Sequence, residues 1–525
     1  MILYIPVSTS EKQMRILLIT YDNGSLFHGF PMGLGCIARV LVDRGYDVDV
    51  WSQDIHHYPD EDIPLAGYDA VCISVVGGYY QYRKLMSLGA VISGTPGRPL
   101  FVIGGHGPSP EPEYFLLRSG ADVCVMGEGE GTVGELFDCI AWGRSFAHVK
   151  GIAYRVGGDV FVNPRRELLD VDAIGMPAYE LFPMEYYRLY RRPRMGPTDF
   201  CMQVLSGRGC TFKCNFCYRM DEGFRPRSVE GIVEEVGYLK GEYGITRVAF
   251  EDELLMSSVA RTEEVCRALA PLGVEWDCNG RLNYAKPDVL KLMRESGCVF
   301  INYGIESYDD GALKRMNKGL TTKQITLGIE ATLAEGISPG FNIIWGNLGE
   351  DEEILGKGVE FLLKYDDGAQ RRTIRPVTPY PGSALYYEAI ERGLLGGMVG
   401  EGAEMKYVEP VEDFYENRHL NSDLLAVNFT GLTDDEFHKA LLRANTRLLE
   451  NYYDKQKAAA IERPRDSTPG IRHSGGFDEL LFVWRGNGEG QHRHEGRQAG
   501  VSMRLWVGFC RCPAPRLLTA HARGY

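Results

Sequence analysis

The chain has 525 residues, of which 44% are hydrophobic and 24% charged, and it carries a formal net charge of −14. That length suits roughly three or four globular domains, each able to bury a core. The acidic balance argues against an electrostatic footprint for nucleic acid. The longest apolar runs, such as 71–76 and 343–345, fall far short of the about 20 residues a membrane span needs. The N-terminus lacks the basic stretch and apolar core of a signal peptide, so the expectation is a cytoplasmic protein with no membrane or nucleic-acid partner. Thirteen cysteines, an odd number scattered over a long chain, read as reduced thiols rather than a disulfide framework.

Residues 1–13 precede the first convincing strand and read as an extension. Candidate strands at 15–20, 47–51, 70–75, 100–103 and 122–126 then alternate with helix-spaced segments at 33–43, 80–92, 111–118 and 132–140. Such alternation predicts a doubly wound parallel sheet, Rossmann-like or flavodoxin-like, over 14–145, with ligands at the carboxyl ends of its strands. The loops at those ends, 23–35, 76–79, 104–110 and 127–131, are rich in glycine.

A connector is expected over 146–197. It opens with a β-hairpin over 150–163 that turns at Gly157–Asp159. Its second half carries Tyr186, Tyr187 and Tyr190; surface packing is the expectation for these, ahead of helping to close a site. A second alternating series occupies 198–393, with strands near 202–205, 247–250, 275–278, 300–304, 340–345 and 373–376. Helices fill the gaps at 229–242, 261–269, 287–296, 322–335 and 351–364. Six βα units suggest a partial parallel barrel with its chemistry at the strand C-termini. The fold class is therefore α/β.

Residues 394–460 turn helical and acidic, and Thr433 followed by Asp434 and Glu436 reads as a helix start. Over 461–525 the character changes: ten Arg, no Lys and four of the eleven His, without sustained periodicity. This segment reads as a disordered or non-native tail.

The strongest chemical signal is Cys210-Thr-Phe-Lys-Cys214-Asn-Phe-Cys217, straight after the first barrel strand. Three closely spaced thiolates can wrap three irons of one 4Fe–4S cube and leave the fourth open to a ligand, as in catalytic metal sites. Zinc is the bland alternative, but no His or Cys lies within fifteen residues downstream of Cys217 to complete it.

The C-x3-C-x2-C spacing, with Phe216 just before its last Cys, resembles the radical S-adenosylmethionine (SAM) superfamily. The likeness continues through the barrel, in FEDELL at 250–255, GRLNYAKPDVLKLMRESGC at 280–298, YGIESYDDGALKRMNKG at 303–319 and RPVTPYPGSALYYEA at 375–389. It implies a 4Fe–4S cluster on Cys210, Cys214 and Cys217. It also implies SAM contacts from Phe216 beside the adenine, Glu253 in the acidic turn, Arg281, Glu306 and Ser307. The active site is expected between the barrel's top face and the corrin face, with Glu251, Asp252 and Glu253 as candidate polar contacts, although two of these three acids could be solvated or capping. The fifth-strand ending IIWGNLGED departs from the family's G-x-P-G-E, so Asn347-Leu348 leaves that loop's geometry open.

A Rossmann-like domain ahead of such a barrel is the arrangement of the cobalamin-binding radical SAM enzymes. The resemblance there rests on Pro31–Gly35, Val71–Ser74, Ile103–His106 and Gly127–Glu130. It implies cobalamin among Ser74, Gly77, Gly78, Gly104, Gly105, Gly127 and Glu128, where missing side chains let backbone approach a bulky ligand. The motif D-x-H-x-x-G that supplies a cobalt-ligating His is absent, since His28 follows Asp22 at the wrong spacing. Cobalamin bound base-off without a His ligand is the expectation. No G-x-G-x-x-G follows the first strand, which disfavours a dinucleotide.

The resemblance implies reductive cleavage of SAM, hydrogen abstraction from an unactivated carbon and cobalamin-dependent methyl transfer to a small-molecule metabolite. An electron donor such as flavodoxin or ferredoxin is the implied partner. A cobalamin-dependent cyclase or rearranging enzyme is the nearest alternative. A tRNA methylthiotransferase would need further cluster cysteines, yet Cys36, Cys72, Cys124 and Cys139 fall in strands or helices. A non-catalytic scaffold is disfavoured by the intact cysteine triplet.

Overall fold

The computed structural model describes residues 14–20, 29–52, 63–76, 78–399, 405–418 and 424–462. The N-terminal extension, His28, Gly77 and the tail beyond 462 lie outside the described residues.

Five strands, β1 (Arg15–Thr20), β2 (Asp47–Ser52), β3 (Ala70–Ser74), β4 (Leu100–Gly104) and β5 (Val123–Val125), form the parallel part of the first sheet. Helices α1 (Met32–Asp43), α2 (Tyr79–Gly94), α3 (Pro112–Ser119) and α4 (Glu130–Ala141) follow β1, β3, β4 and β5 in the chain. These strands are nearly continuous apolar runs, such as the fully buried Ile16–Ile19, as expected when helices cover both faces of a sheet. The strand order β2-β1-β3-β4-β5 reverses direction between β1 and β3. Ligands bind in open α/β sheets at that kind of crevice.

The hairpin β6 (Ile152–Val156) and β7 (Asp159–Val162) is present where the sequence places it, but it belongs to this sheet. β6 pairs antiparallel with β5, giving seven strands in all. A short edge strand such as β5 is stabilised by acquiring a partner on its open side, a demand that local sequence does not display.

The second sheet is six-stranded and parallel: β8 (Cys201–Val204), β11 (Arg247–Phe250), β12 (Glu275–Gly280), β13 (Cys298–Glu306), β14 (Ser338–Trp345) and β15 (Ile374–Pro376), in sequential order. Between β8 and β11 stands a separate antiparallel pair, β9 (Gly207–Cys210) with β10 (Gly223–Pro226), and the cysteine triplet begins at its tip. Helices α5 (Val229–Tyr243), α6 (Val259–Leu269), α7 (Pro287–Glu295), α8 (Asp310–Arg315), α9 (Thr322–Ala334), α10 (Glu352–Tyr365) and α11 (Ala384–Glu391) complete the barrel units. Ser228, Ser258, Asp309, Thr321, Asp351 and Ser383 cap six of them with side-chain acceptors, which marks their starts sharply.

The region after the barrel is helical as expected in α12 (Asp434–Glu462), where Thr433 and Glu436 form a reciprocal cap. It also holds a small antiparallel pair, β16 (Gly397–Val399) and β17 (Lys406–Val408), that helical periodicity did not announce. One buried apolar cluster runs through the strands of both sheets, and a second joins the first sheet to α11 and the segments after the barrel. Phe30 packs on Tyr179, Phe182 and Tyr187 with ring centres 4.7–5.5 Å apart. The expectation of surface packing is therefore wrong for Tyr187, which is 3% exposed: the connector threads between the two layers, and its aromatics fill the seam. Among the described residues no helix is long and apolar enough to cross a membrane.

Candidate cofactor site between two sheets

A cavity of about 340 Å³ lies between the carboxyl ends of the first sheet and the barrel. One wall is built from strand ends: Ser74 of β3, Gly104 at the end of β4 with Gly105 after it, and Gly127 and Glu128 after β5. The opposite wall is β9–β10 and the acidic turn after β11, including Glu251, Asp252 and Glu253. Of the cobalamin candidates, Ser74, Gly104, Gly105, Gly127 and Glu128 are brought together here, whereas Gly78 is not on the cavity wall.

Gly105 has φ +101°, and a Cβ there would stand 2.5 Å from the Val75 carbonyl oxygen. Only glycine fits that approach. Glu130 leaves Oε2 buried without a hydrogen bond, and Glu128 Oε2 has only the Arg208 guanidinium at 3.3 Å; both residues line the cavity. An orphaned buried acceptor of this kind calls for a donor from a ligand. His106 also lines the cavity. Burial holds its imidazole below the usual value, and the nearby Glu253 and Asp221 oppose that shift. The sequence offered His106 only as part of a strand-end signature.

The acidic turn divides its labour. Asp252 accepts hydrogen bonds from the Ser206 backbone N–H at 2.9 Å and the Ser206 hydroxyl at 2.7 Å, tying the end of β11 to that of β8. Burial pushes its carboxyl up to about 6 in spite of those bonds. Glu251 is held by the Tyr190 hydroxyl at 3.1 Å and the Arg192 guanidinium at 3.0 Å, so Tyr190 does more than pack on the surface. Arg192 continues to Asp277, which is fully buried and also paired with Arg247. Neither Arg192 nor Asp277 stood out in the sequence, because a lone charge in a connector or strand carries no spacing signal. Glu253 is exposed on the cavity side.

The cysteine loop adjoins this cavity. All three thiols are free, Cys214 buried and Cys217 exposed. Although Cys217 reaches solvent, desolvation by the surrounding loop, then the neighbouring Cys214 and Glu306, pushes its thiol up to about 11; a metal binds the thiolate form. Among the described residues no three His, Cys, Asp or Glu side chains converge as for one metal ion. A cube in which each thiolate takes a different iron needs no such convergence. Gly209, at φ +80°, would place a Cβ 2.3 Å from the Gly223 oxygen, so glycine lets the hairpin close beneath Cys210. At the far side, Tyr218 packs where a Cβ on Gly382 would stand, 2.6 Å from its ring. That contact gives the P-G-S segment at 381–383 a structural reason.

Three of the SAM candidates, Phe216, Arg281 and Glu306, gather around Lys318, whereas Glu253 lies on the cavity wall instead. Glu306 has φ +68°, and its strand shifts register against β14 at this point. A non-glycine residue in that region costs of order 1–3 kcal/mol. The turn aims Glu306 at Lys318 Nζ, 2.8 Å away with both side chains buried. Lys318 Nζ stands 5.9 Å from the centre of the Phe216 ring. Arg281 donates to the Lys318 carbonyl and lies over the Phe212 ring, 3.4 Å from its centre. The Ser307 hydroxyl donates to Glu350 at 3.1 Å. Glu350 also accepts from the Gly346 and Asn347 backbone N–H groups at 2.9 and 3.0 Å. The loop left open by Asn347-Leu348 is thus folded around a buried carboxyl.

Residues 204–362 match the Radical SAM superfamily and residues 25–137 the B12 binding domain. An uncharacterized methyltransferase of Pyrococcus horikoshii is 28% identical over 399 residues, 73% of this chain and 85% of the relative. A hopanoid C-2 methylase of Rhodopseudomonas palustris is 31% identical over 400 residues, 69% of this chain and 67% of the relative. The chain belongs to the cobalamin-binding radical SAM enzymes. The fold agrees with that of a radical SAM methyltransferase, TsrM, from Kitasatospora setae, solved with cobalamin and a 4Fe–4S cluster. The TM-score is 0.66 at 16% identity, over 90% of this chain and 95% of that one.

The residues present fit the cofactors of this radical SAM family. Three free thiols at the hairpin tip suit a 4Fe–4S cluster with an open iron for SAM. The cavity, with its glycine-lined wall and orphaned carboxylate oxygen, suits a corrin bearing amide donors.

Proposed function

We propose that this enzyme transfers a methyl group to an unactivated carbon of a small biosynthetic metabolite, with cobalamin held base-off and no His on the cobalt. The observation that carries the reading is a cavity walled on one side by the first sheet's strand ends and on the other by the hairpin leading to Cys210. The two relatives, a methyltransferase and a hopanoid methylase, support it.

When bound, the cluster with SAM supplies the radical that takes hydrogen from carbon, and cobalamin supplies the methyl group. The protein binds, orients and excludes water. Cys210, Cys214 and Cys217 hold the cluster; Phe216 lies along the adenine; Glu306, Ser307 and Lys318 meet the polar parts of SAM, with Arg281 bracing Lys318. Glu253 and His106 are the polar contacts offered to the substrate, and Glu251 is kept fixed by Tyr190 and Arg192. The electron comes from a small carrier protein, flavodoxin or ferredoxin, in the cytoplasm, where free cysteines stay reduced.

The test is product stoichiometry in anaerobic turnover against a panel of candidate metabolites. Methyl transfer yields 5′-deoxyadenosine and S-adenosylhomocysteine in about equal amounts, since each SAM performs one task per cycle. Deoxyadenosine alone, with cobalamin bound, contradicts methyl transfer and points to a cyclase or rearranging enzyme. Base-off binding without a His ligand is tested separately: wild type, His28→Ala and His106→Ala all keep the bound corrin with a base-off absorption spectrum, whereas a base-on spectrum in wild type, or a change of spectrum in either variant, contradicts it.

A further inference from the structure

Arg208 lies on β9 two residues before the cluster ligand Cys210, and in the β9–β10 register it stands directly opposite Arg225. Its guanidinium pairs with Glu130 at 2.6 Å and Glu128 at 3.3 Å. Arg225 pairs with the same Glu128. The four side chains form one alternating row, Arg225–Glu128–Arg208–Glu130, spanning from the cluster hairpin to the first sheet. Glu130, with 4% of its side chain exposed, opens helix α4, where a carboxylate is favoured by the helix dipole. Attraction between such charges is strong away from water, so the row is a fixed joint.

This joint also forms part of the cavity wall, and it is incomplete there: Glu130 Oε2 accepts no hydrogen bond, and Glu128 Oε2 has only the Arg208 guanidinium at 3.3 Å. A corrin carries carboxamide N–H donors around its edge, and such donors complete both carboxylates. The hairpin beneath is stiff, with Gly209 closed against the Gly223 backbone, so the position of Arg208 is passed directly to Cys210.

We infer that Arg208 is a positioning residue that couples the two cofactor sites: a corrin seated on Glu128 and Glu130 fixes Arg208, and thereby the cluster strand, in the geometry that binds SAM. The inference rests on the proposed assignment of cobalamin to this cavity. Coupling of this kind is reciprocal, since each ligand prepays ordering that the other needs.

The experiment measures SAM affinity of the reconstituted full-length protein, with the cluster oxidised so that no turnover occurs, with and without saturating hydroxocobalamin. Cobalamin uptake is followed by visible absorption. In the wild type, cobalamin is expected to tighten SAM binding by about fivefold or more, the lower end of usual coupling. In Arg208→Gln, cobalamin still binds but the ratio of SAM affinities falls to near one, and Arg208→Lys restores part of it. Wild-type protein that binds cobalamin with no change in SAM affinity overturns the coupling while leaving the cofactor assignment intact. Wild-type protein that takes up no cobalamin overturns both. A variant that loses cobalamin yet binds SAM as the cobalamin-free wild type does would confine the row to shaping the cavity, and this too overturns the inference.

Discussion

Glu350 is the residue where burial and hydrogen bonding oppose each other most openly. Burial pushes its carboxyl up to about 7 from a usual value of 4.5, against the bonds from Asn347, Gly346 and Ser307. The folded protein therefore holds this proton more tightly than the unfolded chain does. Its contribution favours folding at low pH and is lost as the pH rises from about 4.5 to about 7. Asp252 acts in the same direction over a lower window. Glu350→Gln keeps a carbonyl acceptor for the loop without the charge, so it should flatten this fall. Denaturant unfolding of the cluster-free protein at pH 5 and pH 8 should show the variant gaining on wild type at the higher pH, on the order of 3 kcal/mol at most. An equal difference at both pH values would mean that Glu350 is not buried as described. At this scale the sequence was legible where spacing carries chemistry, as in Cys210, Cys214 and Cys217. It was silent on Lys318, Arg192, Asp277 and Arg208, whose meaning depends on neighbours from distant strands.

The elements followed from local signals almost throughout. Strand β11 and the start of α9 fall where periodicity and capping residues put them. Three features escaped: the pairing of β6 with β5, the β9–β10 hairpin, and β16–β17. All three are short antiparallel pairings whose partners are chosen by tertiary contact rather than by a local pattern. The last described element, α12, is anchored by Phe437, stacked on Trp345 with ring centres 4.3 Å apart, and by Asn445 bridging Ile374. The sequence beyond it lacks core-forming periodicity. Deleting residues 463–525 is therefore expected to leave the melting temperature and iron content unchanged. A clear drop in melting temperature on truncation would show that the tail contributes packed structure.

For the molecule as a whole, the order of two α/β layers was readable from strand–helix alternation. How they face one another was not, because the seam of Phe30, Tyr179 and Tyr187 joins residues about 150 apart in the chain. That seam sets the strand ends of the first sheet against the cluster hairpin and makes two cofactor sites neighbours. The central claim is that one chain holds both cofactors in separable sites: the cluster on three cysteines, the corrin on the glycine-rich strand ends. The direct measurement is iron and cobalamin content after anaerobic reconstitution of wild type and of the triple variant Cys210→Ala, Cys214→Ala, Cys217→Ala. The account predicts about four irons and one cobalamin per wild-type chain. The triple variant should keep its cobalamin while losing the iron, the brown colour and all SAM cleavage. A triple variant that still holds about four irons, or a wild type that takes up no cobalamin, would contradict it.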